Sequence, residues 1–220
     1  MEGSPVEAGL RLARRAARRA VGRGRLGAAV VTARRPGRPR PADPDDVVLA
    51  RAGGGQRDVL VNLVQLYRHD MAEIRGYELT EAGTYDYPHL DRYLSDPDRE
   101  AWFIRVGGRL AGFILTRRQA DGVWQVSEHF VVRSWRGRGV GRVALAKAFA
   151  LHEGGWTCFV DDDNGTSQRM CTAAVDDVGG EGARTSRGVS ANGFAGTVFR
   201  FAVPSPADDQ PEEPGPVTCC

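Results

Sequence analysis

Apolar and polar residues fall into blocks of different period along the chain, and the order of the blocks sketches a fold. Val47-Val48-Leu49-Ala50-Arg51-Ala52 is a short apolar run closed by Gly53-Gly54-Gly55, the pattern of a first strand. From Asp58 the period changes. Leu60, Leu63, Val64, Tyr67, Met71 and Ile74 recur three or four apart, which makes one helical face, with Asp58 as its cap and an end near Gly76. Trp102 to Val106 and Arg109 to Leu115 read as strands joined by Gly107-Gly108, because a two-residue hairpin turn needs positive φ. Asp121-Gly122 signals a second hairpin, into a third strand from Val123 to Val132.

That strand runs into a glycine-arginine loop and then a helix with Val140, Ala144, Ala148 and Leu151 on its apolar face, ended by Gly154-Gly155. Trp156 to Val160 is the next strand, and a strand-helix-strand order places it parallel to its predecessor across a right-handed crossover. Further on, Asn192-Gly193 joins two edge strands, the second with Phe199, Phe201 and Val203 on one face. The reading is α+β: a mostly antiparallel sheet with one parallel pair, flanked by helices.

Composition changes this picture only at the ends. With 220 residues and 41% hydrophobic content the chain is long enough for one domain with a sizeable core. The net charge of +2 is unevenly spread. From Leu10 to Arg40 there are many arginines and no acid, so residues 1–44 are expected to be an unfolded basic extension, with the domain over 45–203 and a proline-rich acidic tail over 204–220. A transit-like leader and a nucleic-acid arm are the other readings of the extension; its arginines lack interleaved aromatics, which argues against nucleic acid. No apolar run reaches the length of a membrane span, so the expected setting is cytoplasmic. The four cysteines, at 158, 171, 219 and 220, have no zinc or disulfide spacing.

The candidate chemistry begins in the loop. Arg136-Gly137-Arg138-Gly139-Val140-Gly141-Arg142 follows an apolar strand and opens a helix. Glycines there let several N–H groups converge beside the positive end of the helix dipole, which suits phosphate, and Arg136, Arg138 and Arg142 suit a diphosphate. No Gly-Lys-Ser/Thr follows and Gly-x-Gly-x-x-Gly is absent, so it is neither a P-loop nor a full Rossmann fingerprint.

The Arg-x-x-Gly-x-Gly pattern of residues 136 to 141, after Phe130-Val131-Val132, resembles the acetyl-CoA signature of the GNAT acyltransferases. In element order the resemblance spans roughly residues 47 to 165. It is greatest to small bacterial members with Leu-Tyr-x-His-Asp and Asp-Tyr-Pro-x-Leu segments, here Leu66-Tyr67-Arg68-His69-Asp70 and Asp86-Tyr87-Pro88-His89-Leu90. The resemblance implies that the parallel pair splays apart, that backbone at His129, Phe130 and Val131 holds the pantetheine of acetyl-CoA, and that residues 136 to 142 hold its diphosphate. Asn164 matches the family's asparagine before the following helix. The tyrosine that many members place in that helix to protonate the thiolate is missing, since no tyrosine follows Tyr93; Cys171, water or no acid at all takes its place.

An amine must lose a proton to attack a thioester, and the developing oxyanion needs donors. Backbone N–H near Val131 suits the second task. Glu128, on the strand face of Phe130 and Val132, is the candidate base or amine anchor, the alternative being a structural pair with an arginine; His129 points the other way. Tyr67, Asp70, Tyr85, Asp86 and Tyr87 are the candidate acceptor contacts, because rings and carboxylates favour ammonium groups, though Tyr67 and its neighbours also fit a packed helix. The implied activity is acetyl transfer to a small amine: an aminoglycoside-like antibiotic, which would confer resistance, a polyamine or an amino acid derivative. Another donor such as aminoacyl-tRNA, or a non-catalytic CoA-binding module, are the alternatives. A homodimer through exposed edge strands at residues 194 to 203 is also expected.

Overall fold

The computed structural model describes residues 40–205. Most of the basic extension and of the acidic tail, residues 1–39 and 206–220, lies outside the described residues. Seven strands form one sheet in the order β1-β2-β3-β4-β5-β7-β6. They are β1 Val47–Arg51, β2 Arg99–Val106, β3 Arg109–Arg118, β4 Trp124–Val131, β5 Gly154–Asp161, β6 Glu181–Val189 and β7 Ala195–Val203. Four helices join them: α1 Arg57–Arg75, the short α2 Arg92–Ser95, α3 Val140–Phe149 and α4 Gly165–Asp177.

All neighbouring strands run antiparallel except β4 and β5. The β2–β3 turn works as expected: Gly107 and Gly108 both take positive φ, 54° and 77°, which a side chain would oppose. The helix over α1 ends on Gly76 in the left-handed conformation, its N–H donating to the Ala72 carbonyl. Asn164 caps α4 by accepting from the Ser167 N–H at 3.1 Å.

The sheet is covered on both faces. Under α3 and α4 lie Ile104, Ile114, Val126, Val131, Phe149, Trp156 and Phe201; under α1 and α2 lie Leu60, Tyr67, Tyr93, Phe103, Phe113 and Phe130. Three expectations are corrected here. The third helix stops at Phe149, so Leu151 is 38% exposed and Leu145 and Phe149 fill the core instead. Gly154 and Gly155, expected to end that helix, open β5. Of the two last strands only β6 is an edge, since β7 is paired on both sides, by β5 and by β6.

Candidate active site

Strand β4 positions the site, and a bulge sets which way its side chains face. Leu115 pairs with Glu128 and Thr116 with Val126, so Ser127 is an extra residue. Val126 and Val131, five apart, therefore both pack under α3, while Phe130 joins Tyr67 under α1. Glu128 shares that α1 side. The Tyr67 hydroxyl donates to its Oε2, and the Tyr87 hydroxyl donates to its Oε1 at 3.1 Å.

Burial pushes the Glu128 carboxyl above its ordinary value, and the two hydroxyls and the charges of Arg75 and Arg68 oppose that push without cancelling it. Burial and the nearby carboxylate also raise both tyrosines, so they stay protonated donors. Arg75 is held at 3.0 Å by Asp161 at the end of β5 and at 3.0 Å by the Tyr77 hydroxyl.

Beside Glu128 the sheet opens. The parallel ladder of β4 and β5 pairs only Trp124 with Trp156, Gln125 with Thr157 and Val126 with Cys158. Beyond that point the strands diverge around a cleft lined by Glu128, Met71, Asp161, Asn164, Met170 and Cys171. Strand hydrogen bonds alternate in direction. Val132 N–H donates to the Ala111 carbonyl at 2.9 Å, which turns the N–H groups of Val131 and His129 toward the cleft. The Val131 carbonyl points the same way and accepts from Arg136 Nε at 2.7 Å. The buried Ser127 Oγ also has no hydrogen-bond partner. An extended ligand with amides would satisfy such an edge.

The loop that follows has the expected shape. Gly137 and Gly139 have φ of 71° and 82°, and Gly139 leads directly into α3, so the first N–H groups of the helix, at Val140, Gly141 and Arg142, have no intrahelical acceptors. Gly141 is needed for space rather than for φ: an added Cβ would lie 2.7 Å from Met170 Sδ and 3.3 Å from His129 Cε1. His129 is indeed on the far face, its Nε2 buried without a partner, and burial together with the Arg136 charge pushes its pKa down to about 4.

The loop arginines are more committed than expected. Arg136 and Arg133 both pair with Asp70, Arg142 pairs with Asp177, and the Arg138 guanidinium lies over the Trp135 ring with its Nε buried and unpartnered. Asp70, in place of the acceptor contact expected of it, braces the loop, and the two arginines hold its carboxyl below the ordinary value against the opposing push of burial. Tyr85 is clamped by Gln65, which bonds its N–H and its carbonyl at 2.7 and 3.0 Å, and its hydroxyl lies 3.3 Å from His69 Nδ1. Asp86 is exposed.

A family model described as Acetyltransferase (GNAT) family matches residues 62–173, just over half of the chain. The chain belongs to the GNAT acetyltransferase family. The match runs from α1 through the cleft into α4 and so includes every element that forms the site. Solved structures of the same fold include an acetyltransferase from Thermus thermophilus, 20% identical, TM-score 0.51, covering 70% of this chain and 95% of that one. An aminoglycoside acetyltransferase in complex with coenzyme A and kanamycin is 14% identical, TM-score 0.51, covering 70% and 93%. The spermidine N-acetyltransferase of Vibrio cholerae, in complex with CoA and spermine, is 14% identical, TM-score 0.50, covering 71% and 94%. No curated protein sequence matches the chain.

The cofactor expected from the sequence, acetyl-CoA, is thus of the kind these GNAT neighbours hold. The GNAT cleft here fits it: N–H groups facing the gap, an orphaned serine hydroxyl and a glycine loop at a helix start. Sequence reading missed Arg68, Arg75, Tyr77 and Asp161. Arg75 lies one helical turn beyond Met71 and two beyond Arg68, yet nothing in that spacing shows that the end of β5, 86 residues on, returns to it. Among the described residues no helix is long and apolar enough to cross a membrane.

Proposed function

We propose that residues 45–203 form an N-acetyltransferase domain that moves an acetyl group from acetyl-CoA to a primary amine of a small molecule. The observation that carries this is Glu128: a half-buried carboxyl with a raised pKa, at the edge of a gap where the β4–β5 ladder stops and strand N–H groups face the opening. Bound acetyl-CoA supplies a thioester carbonyl open to attack and a thiolate able to leave.

The chain supplies the rest. Gly137 to Arg142 and the start of α3 receive phosphate, with Arg138 as the loop arginine that has no acidic partner among the described residues. Backbone at His129 and Val131 receives the amides of the arm, the Phe130 backbone between them being turned to its β3 partner Phe113, and Asn164 stands at the cleft wall. Val131 N–H faces the gap, where it can stabilise negative charge on a carbonyl oxygen. Glu128 takes the amine proton; its raised pKa brings it nearer to neutral pH, where a base works best. Tyr67 and Tyr87 hold both of its oxygens in place. The buried Cys171 thiol lines the cleft 2.7 Å from the Cys158 sulfur.

Aminoglycosides, polyamines and amino acid derivatives are the acceptors to test, the first two because GNAT neighbours of this fold are named for them. A cytoplasmic setting, where acetyl-CoA is at hand, and a homodimer through the edge strand β6 complete the proposal. The test is free CoA release from acetyl-CoA, with the purified protein offered aminoglycosides, polyamines and amino acids. Release with one class establishes the reaction. Acetyl-CoA binding with no release for any amine would sink it.

A further inference from the structure

Arg68 is left without a task by the reaction just described. Its guanidinium is stacked between two phenol rings, with its central carbon 4.0 Å from the Tyr77 ring centre and 4.9 Å from that of Tyr87. Its Nε is buried and has no hydrogen-bond partner. None of the ion pairs among the described residues includes it. The other cations around the cleft mouth are committed: Arg75 to Asp161, Arg133 and Arg136 to Asp70, Arg187 to Asp162.

The position of this idle cation is specific. Tyr87, whose ring Arg68 covers, is the residue whose hydroxyl donates to Glu128. The proposed base meets the hydroxyl of this phenol and the idle guanidinium lies over its ring, and the Arg68 charge reaches Glu128. Contact with two rings restrains the guanidinium, and its N–H fork suits a planar, two-oxygen anion.

Resting on the acetyl-transfer reading, we propose that the acceptor is an amino-carboxylic acid, whose carboxylate Arg68 binds while Glu128 deprotonates the amine. The chemistry of a polycation fits this mouth poorly. Arg68 lies within charge range of Glu128 and, unlike Arg75, has no carboxylate against it among the described residues, so a further ammonium group beside it would face an uncompensated guanidinium. A carboxylate placed beside the Tyr87 ring meets the opposite situation: it gives the Arg68 guanidinium the acidic partner that it lacks among the described residues.

The experiment is calorimetric titration of the CoA-loaded protein with the L-amino acids and their matching amides, with spermidine and kanamycin as polycations. CoA release is followed for the same panel. The expected result is that at least one acid binds about 10- to 100-fold more tightly than its amide, the range for a charge-assisted pair. In Arg68→Gln that preference falls to within about threefold while acetyl-CoA affinity is kept, and Arg68→Lys, which keeps charge but not the fork, falls between. The wild-type comparison of acid with amide needs no variant, so it stands even if Arg68→Gln fails to fold. Equal binding of every acid and its amide, tighter binding of spermidine or kanamycin, or binding of no acid in the panel would overturn the inference. Release with acids and amides alike would keep acetyl transfer and remove the anion site. Acid-selective binding without release would keep the anion site and remove the transfer reading.

Discussion

Two glutamates, one buried and one half-buried, stand on the same sheet and are held in opposite ways. Glu100, on β2, is 5% exposed and surrounded by donors: Arg51 at 2.8 Å, His152 at 2.9 Å, Trp102 at 3.1 Å and Thr116 at 3.4 Å. Burial pushes its carboxyl up, but the hydrogen bonds of His152 and Trp102 and the charges of His152 and Arg51 outweigh it, so Glu100 sits below the ordinary value. Glu128, on β4, meets neutral hydroxyls first and guanidinium groups only at a distance, and burial prevails. Both carboxyls lose much of their water. What separates them is whether charged donors touch them, and that decides which is spent on structure and which stays able to take a proton.

Breaking the Glu128 side has the largest expected effect. Glu128→Gln keeps the shape and removes the proposed base, so CoA release is expected to fall roughly 100- to 10,000-fold, while calorimetric acetyl-CoA affinity is unchanged. A rate within about threefold of the parent would take Glu128 out of the chemistry.

Breaking the Glu100 side should cost stability and leave the rate alone. Glu100→Gln weakens the charge-assisted bonds from His152 and Arg51; since the Arg51 side chain is 54% exposed, solvent screens that half of the loss. The expected destabilisation is about 1 to 3 kcal/mol in urea unfolding, with turnover at saturating substrate kept. Lost turnover with unchanged stability would mean that Glu100 acts in the site.

The pH responses sharpen the contrast, because the two shifts have opposite signs. Glu100 is lowered, so its stabilisation is present above the unfolded carboxylate value and is lost as pH falls through the folded one. Glu128 is raised, so its protonated form favours the fold and that contribution is lost as pH rises through the folded value. Over that same window the base becomes ionised and turnover rises. The rising limb of the rate profile is therefore expected above the ordinary carboxylate value of 4.5 and is absent from Glu128→Gln. Unfolding followed across acid pH should show Glu100→Gln with a flatter loss than the parent.

The two glutamates also mark how far the sequence could be read. The strand order, the Gly107-Gly108 turn, the loop from Arg136 to Arg142 and the candidacy of Glu128 all rest on local pattern, and local pattern is what a sequence displays. Even the facing of Glu128 was legible, because it lies beyond the bulge at Ser127, where alternation with Phe130 is intact. Glu100 was not legible, since three of its four donors come from β1, β3 and the turn after α3, 49 residues before it and up to 52 after. The brace that Asp70 forms was not legible for the same reason: its partners, Arg133 and Arg136, reach back more than 60 residues from the loop. Charge partners brought together by chain return carry no periodic trace, whereas the turns and faces that bring them together do.

The smallest expected effect tests whether the hydroxyls do what distinguishes Glu128. Tyr87→Phe removes the donor at 3.1 Å from Oε1 and leaves the Tyr67 donor and the ring beneath Arg68 in place. That hydroxyl favours the ionised carboxylate, so its loss lets burial act more fully and moves the rising limb of the rate profile to higher pH. At neutral pH the rate should fall by less than about tenfold, the scale of one hydrogen bond, and should recover as pH is raised. Recovery separates a shifted base from a misplaced one. A uniform loss at every pH would mean that Tyr87 orients the acceptor rather than setting the proton affinity of Glu128.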